Sequence, residues 1–286
     1  MSHCSHTLTR LSLAVAMFLA AIPAVRAAPR VETTIAPVHS LVAGVMAGIG
    51  TPELLIKGAG SAHAYALRPS EARRLQEADV VFWIGPMLET FLSRPLGALA
   101  RRARVVALIE TPGLTRHPLR HGGTWAATDD ADHEHVHEDE GGLDAHIWLD
   151  PRNAAAMTQA IADTLSMVDP PRTARYRANA AEQIARINRL ERELAAHLVP
   201  LREKPYVVFH DAYQYFEKRF GLHPAGAVTI APDRPPGARR LGALRSHIRA
   251  TGARCIFVEP QFTPRTAAII AEGTKARIAI LDPVGA

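Results

Sequence analysis

Short apolar runs alternate with amphipathic stretches along most of the chain. Residues 31–37, 53–57, 79–85 and 104–110 read as strands in the first half, and residues 205–211, 226–230, 254–260 and 276–282 in the second. Apolar positions at helical spacing occupy residues 40–47, 71–78, 239–250 and 265–271. Strand and helix in alternation predict α/β units built on mainly parallel sheets. Between the two halves, Tyr176, Ala180, Ile184, Ile187, Leu190, Leu194 and Leu198 recur at threes and fours and share one helix face. Pro170-Pro171 marks the start of this helix and Pro200 its end. At about 1.5 Å per residue it spans roughly 40 Å. Such a helix serves as a strut between two lobes, or as a long surface helix of one domain.

Length and composition narrow the picture slightly. A chain of 286 residues makes one large domain or two modest ones. Its 48% apolar residues supply real cores, and its net charge of +5 is spread without long basic runs, so no nucleic-acid partner is indicated. The first residues carry a different signal. Arg10 precedes the apolar run 11–22, no acidic residue occurs before Glu32, and Val25-Arg26-Ala27 offers small residues at a cut site. This pattern predicts a secretory signal peptide over residues 1–27, with Ala28 first in the mature chain. The apolar run is shorter than the ~20 residues of a spanning helix. Cys4 leaves with that segment and precedes the apolar run, so it is not a lipid-anchored cysteine; Cys255 is then left without a partner.

Residues 117–144 differ in composition. His121, His133, His135 and His137 lie among Asp129, Asp130, Asp132, Glu134, Glu138, Asp139 and Glu140, with paired glycines at each end. So few apolar residues predict a mobile loop. A tract of this kind binds metal weakly, or is a solvated insertion without a role.

Three further histidines stand where a tight metal site draws its donors, on separate ordered elements. His63 follows a predicted strand, His146 lies in an apolar stretch after the acidic tract, and His210 ends a predicted strand. Ligands gather at the carboxyl ends of strands in open α/β sheets. Taken singly, each of these is more often an ordinary partly buried histidine.

The surrounding motifs decide between these readings. Gly60-Ser61-Ala62-His63-Ala64-Tyr65-Ala66-Leu67-Arg68-Pro69-Ser70, Asp144-Ala145-His146-Ile147-Trp148-Leu149-Asp150-Pro151 and Phe209-His210-Asp211-Ala212-Tyr213-Gln214-Tyr215-Phe216 occur in order. Glu259-Pro260-Gln261-Phe262 and Leu281-Asp282-Pro283 follow them. Together they resemble the zinc-binding solute-binding proteins of ABC transporters, the ZnuA type, over residues 31 to 286. The resemblance implies an α/β fold of two lobes, each a mainly parallel sheet flanked by helices, joined by one long backbone helix, with the metal in the cleft between them. It divides the chain into the signal peptide 1–27, an N-terminal lobe 28–169 containing the acidic tract, a linking helix 170–200 and a C-terminal lobe 201–286.

The same resemblance implies zinc as the transported ligand, with His63, His146 and His210 as its ligands. Related manganese and iron binders generally carry a carboxylate at the position of His210, and imidazole suits zinc better than manganese. Some zinc-binding relatives have a glutamate just before the first ligand, where this chain has Ala62. The fourth position therefore falls to Asp282 or to water, with Glu259 beside the site as a supporting or salt-bridging residue. Relatives usually continue into a closing helix with a cysteine that pairs at the Cys255 position, so the second lobe is expected to show an uncovered surface here.

In function, the resemblance implies a periplasmic carrier that is not an enzyme. Its partners are a zinc ABC-transporter permease driven by a separate ATPase and a periplasmic zinc chaperone, and the protein itself is a monomer. No Gly-x4-Gly-Lys-Ser/Thr phosphate loop occurs in this chain. The rival readings are a manganese or iron carrier of the same superfamily and a zinc hydrolase, since three histidines and a water also make a catalytic zinc. Against the hydrolase, no His-Glu-x-x-His helix is expected and no evident general base is tied to a ligand histidine.

Overall fold

A computed structural model describes residues 27–58, 60–120, 142–229, 237–262 and 265–285. Residues 1–26 of the predicted signal peptide and the histidines and carboxylates between residues 121 and 141 lie outside the described residues. Two four-stranded parallel sheets form the framework. The first contains β1 (Val31–Thr33), β2 (Glu53–Leu54), β3 (Val80–Trp83) and β4 (Arg104–Ala107) in the order β2-β1-β3-β4. The second contains β5 (Val207–His210), β6 (Gly226–Thr229), β7 (Cys255–Val258) and β8 (Arg277–Ile280) in the order β6-β5-β7-β8. Both halves thus repeat one topology. Each sheet reverses its strand order beside its central first strand, and a crevice opens there at the carboxyl ends.

The sequence explains which strands are central. Val80-Val81-Phe82-Trp83 and Val207-Val208-Phe209-His210 are buried along their whole length. Continuous rather than alternating burial is what a parallel strand covered on both faces requires. Two of the edge strands read differently: Arg104 and Val105 of β4 are exposed, and Ile280 of β8 is 71% exposed.

Helices α1 (Ala36–Val45), α2 (Pro69–Glu77), α3 (Ser93–Leu99) and α4 (Pro151–Val168) belong to the first half, and α6 (Gln214–Phe220), α7 (Ala238–Thr251) and α8 (Arg265–Ala271) to the second. The strand and helix segments expected from apolar spacing are present, with ends shifted by a few residues. The helices α3, α4 and α6 add to them. Helix α4 starts at Asp150-Pro151, where the Asp150 carboxylate accepts from the Arg152 amide and proline occupies the first turn.

The long helix α5 covers Thr173–Leu198, with 3-10 turns at Pro170–Arg172 and Val199–Leu201. Its first half packs against α4 and α1, burying Tyr176 and Ala180 in the core of the first sheet. Two buried polar residues on the same face tie it to α1. Asn179 donates to the carbonyls of Val45 and Ala47 at 2.8 and 2.9 Å, and Gln183 to that of Ser40. Further along, the apolar stripe outruns its cover, and Leu190 is 50% exposed.

The second sheet has a full layer of α7 and α8 on one face, closing over Val207, Phe209, Val228 and Ile256. On the other face the apolar cluster is small, comprising Val208, Ala212, Tyr213 and Ala227. An apolar cavity of about 700 Å³ lies beside it, reaching Leu198, Phe257 and Leu281 and bordered by the free thiol of Cys255.

The α1–α5 tether can be tested directly. Asn179→Ala strips the buried Val45 carbonyl and the part-buried Ala47 carbonyl of their donor and should lower unfolding free energy by about 2 kcal/mol, measured by urea denaturation. An unchanged midpoint would mean that water replaces the amide at no cost.

Candidate metal centre

Each of the three histidines is delivered by a different piece of backbone. His63 sits in the loop between β2 and α2. That loop is closed on the helix by Glu71, whose carboxylate accepts from the Tyr65 hydroxyl at 2.7 Å and the Arg68 amide at 2.8 Å. His146 precedes a 3-10 turn at Ile147–Leu149 that leads into α4. His210 is the last residue of β5, in register with Thr229 of β6. Behind His63 and His146, the fully buried Glu89 accepts from the Thr34 hydroxyl and from the amides of Ile84 and Gly85. This pins the carboxyl ends of β1 and β3, and burial pushes the Glu89 carboxyl up to about 7.

The three side chains meet. One ring nitrogen from each of His63, His146 and His210 lies within 4.8 Å of the others. The ring centroids are 5.5 Å apart for His63 and His146, 5.1 Å for His63 and His210, and 4.9 Å for His146 and His210. Around them Leu88, Trp148, Phe262 and Val284 help enclose a small cavity of about 30 Å³, room for one water-sized or ion-sized guest.

Electrostatics match a site for a cation. Burial, then the neighbouring His146 and His210, drives His63 down to about 2, so its imidazole is neutral with a lone pair free. His146 is set by Asp144, whose Oδ1 accepts both the His146 amide at 3.0 Å and Nδ1 at 2.7 Å. With Nδ1 engaged, Nε2 is the nitrogen left for a metal. Burial alone would raise the Asp144 carboxyl. The electrostatic pull of the His146 side chain and the hydrogen bonds from His146 and Gln214 overcome that and hold it below its usual range.

His210 has a carboxylate too, but at a longer distance: Nδ1 is 3.4 Å from Glu259 Oε1. Both atoms are buried and, among the described residues, lack a hydrogen-bond partner, as does Gln261 Oε1 on the same cavity wall. Three orphaned polar atoms around one small space indicate a polar guest.

Asp282 is placed on the adjoining turn and lies outside the group of converging donors. Its Oδ1 accepts from the amides of Val284 and Gly285, both at 2.9 Å. The segment is anchored by Trp148, whose ring nitrogen donates to the Pro283 carbonyl at 2.7 Å.

Contacts across the two halves surround the site. Arg219 pairs with Asp150 at 2.6 Å, Arg120 with both Asp211 and Glu217, and Tyr215 donates to the Asp144 carbonyl at 2.8 Å. The roles of Asp144, Gln214 and Tyr215 escape a reading by spacing. The Asp-Ala-His triplet was the available signal for Asp144, and the other two act on residues far away in sequence.

Comparison with known proteins agrees with this arrangement. The sequence model of the family described as ZnuA, zinc-uptake complex component A, periplasmic, matches residues 31–286. The high-affinity zinc uptake system protein ZnuA of Brucella abortus (strain 2308) is 42% identical over 280 residues, covering 90% of this chain and 84% of that protein. Its counterpart in Paracoccus denitrificans (strain Pd 1222) is 40% identical over 292 residues, covering 96% and 90%. A crystal structure of ZnuA superposes with a TM-score of 0.77 at 25% identity, covering 90% of this chain and 92% of that one. By sequence over residues 31–286 and by its two-sheet fold, the chain belongs to the ZnuA family of zinc-uptake complex components.

Proposed function

We propose that this chain is the zinc-capturing component of an ABC-type uptake system, binding one zinc ion through His63, His146 and His210 and releasing it to a membrane permease. One observation carries the reading: three imidazole nitrogens from three separate segments converge within 4.8 Å around a cavity sized for an ion. Neutral imidazoles bind zinc at about 2.0–2.1 Å in tetrahedral geometry, leaving one position open. An all-imidazole set also disfavours manganese, which prefers oxygen donors. We assign the fourth position to water, because the Asp282 carboxylate is turned to the backbone of its own loop.

In this reading residues 28–169 form the lobe that supplies His63 and His146, residues 170–200 link the lobes, and residues 201–286 supply His210. Residues 1–27 direct export to the periplasm and are removed after Ala27, and the mature protein acts as a monomer loaded directly or by a periplasmic zinc chaperone. Among the described residues no helix is long and apolar enough to cross a membrane. Capture and release suffice for this role, and no bond in a substrate is made or broken.

Competition titration against a chromogenic chelator tests the ligand set. Alanine at His63, His146 or His210 should each weaken zinc by more than about 100-fold, beyond the 10–100-fold typical of outer partners. Asp282→Asn should change affinity less than about threefold if water fills the fourth position. A loss of tenfold or more in Asp282→Asn would put that carboxylate on the metal, and manganese displacing zinc would overturn the reading.

Acid sensitivity has a defined sign. His63 is held far below its ordinary value near 6.5 in the folded protein, whereas the unfolded chain takes up that proton normally. Its contribution to stability is therefore present above pH 6.5 and is lost progressively as pH falls toward about 2. The metal-free protein should lose melting temperature between pH 7 and pH 5, and His63→Gln should flatten that dependence. Parallel pH profiles for the two proteins would show that His63 is not desolvated in the metal-free state.

A further inference from the structure

We infer that Gln214 is a positioning residue for zinc, acting from the second half of the molecule through Asp144 on the ligand His146; the inference rests on the function proposed above. Gln214 opens α6, four residues after His210, and is 2% exposed. Its amide nitrogen donates to the Pro118 carbonyl at 2.9 Å and to Asp144 Oδ2 at 3.1 Å. Both partners are acceptors, so this end of the side chain must be the NH2 group, and its two hydrogens are both used.

The other Asp144 oxygen receives the His146 amide and Nδ1. Asp144 is 1% exposed, and its two oxygens accept three hydrogen bonds, one from the far lobe and two from the ligand residue. Tyr215, the next residue of α6, donates to the Asp144 carbonyl and receives the His117 amide at 3.1 Å. The carboxylate is thereby fixed in position by α6 and held as an acceptor. Facing such an acceptor, His146 must carry its proton on Nδ1, which leaves Nε2 as the metal-binding nitrogen.

The segment from β5 into α6 thus contributes twice. It carries His210 as a ligand, and through Gln214 it fixes the tautomer and ring orientation of a ligand on the opposite half. His210 shows what such a pair looks like without this fixing, with its carboxylate at 3.4 Å and both atoms unpaired. Removing the Gln214 amide should leave the Asp144 carboxylate free to turn and His146 free to sample the other tautomer.

The test uses the full chain with Gln214→Met, which keeps the length of the side chain and removes its N–H groups. Two quantities are read: zinc affinity by chelator competition, and the tautomer of His146 in the metal-free protein from its ring nitrogen chemical shifts. The expected result is a loss of zinc affinity of about tenfold or more together with a shift of His146 away from the pure Nδ1–H form. The loss should not add to that of Asp144→Asn in the double variant, since both act on one chain of bonds.

A merely structural role would lower the melting temperature and leave affinity and tautomer as in the parent protein; either quantity unchanged overturns the inference. Where Gln214→Met yields no folded protein, Gln214→Asn, shorter by one methylene, is measured by the same two criteria. His146→Ala is the control. Zinc binding that survives it removes the ligand reading itself, whereas binding lost in His146→Ala but intact in Gln214→Met removes this inference alone.

Discussion

Three imidazoles whose nitrogens lie within 4.8 Å of each other occupy a small, largely buried space, and burial together with that proximity favours the uncharged ring of His63. Protonating His63 would place a poorly solvated cation against its neighbours, which holds its imidazole far below the ordinary value. One ring nitrogen of each histidine then lies close to one from each of the other two. A divalent cation relieves the arrangement, and a proton does so poorly. In the function proposed above, preference for a metal over acid follows from this desolvation as much as from the identity of the ligands.

The fold makes the proximity possible. His63 comes from the β2–α2 connection, His146 from the segment that leads into α4, and His210 from the carboxyl end of β5. What holds the halves in register is a set of polar contacts centred on α6. The Arg219–Asp150 and Arg120–Asp211–Glu217 ion pairs and the Gln214 and Tyr215 hydrogen bonds all reach the segments on either side of His146. These groups are mostly buried, and breaking one partner would leave an uncompensated charge or donor behind. A directional interface of this kind fixes ligand positions more closely than apolar packing of the same area. Tyr215, carried by α6, is itself packed into the core of the first half.

Much of this was legible in the sequence, because the signals were local. Val80–Trp83 and Val207–His210 announce central strands by continuous apolarity, and Tyr176 and Ala180 announce the buried face of α5 by their spacing. Helix α4 was harder to see. Its sequence from Pro151 is rich in Ala154, Ala155, Ala156, Thr158 and Ala160, small residues that give little contrast between faces. Periodicity also overreached: Leu190 continues the stripe of α5, yet it is 50% exposed among the described residues. The histidines were found through the motifs around them, but the order in which the site is supported was not. Asp144 gains its role from Gln214, seventy residues away, and no local pattern encodes such a pair.

Diffraction from zinc-loaded crystals on either side of the zinc absorption edge tests the central claim most directly. The account requires one strong anomalous peak in the cleft, about 2.0–2.1 Å from one nitrogen of each of His63, His146 and His210, with His146 bound through Nε2. A peak displaced from any of the three rings, or one held mainly by carboxylates, would contradict it.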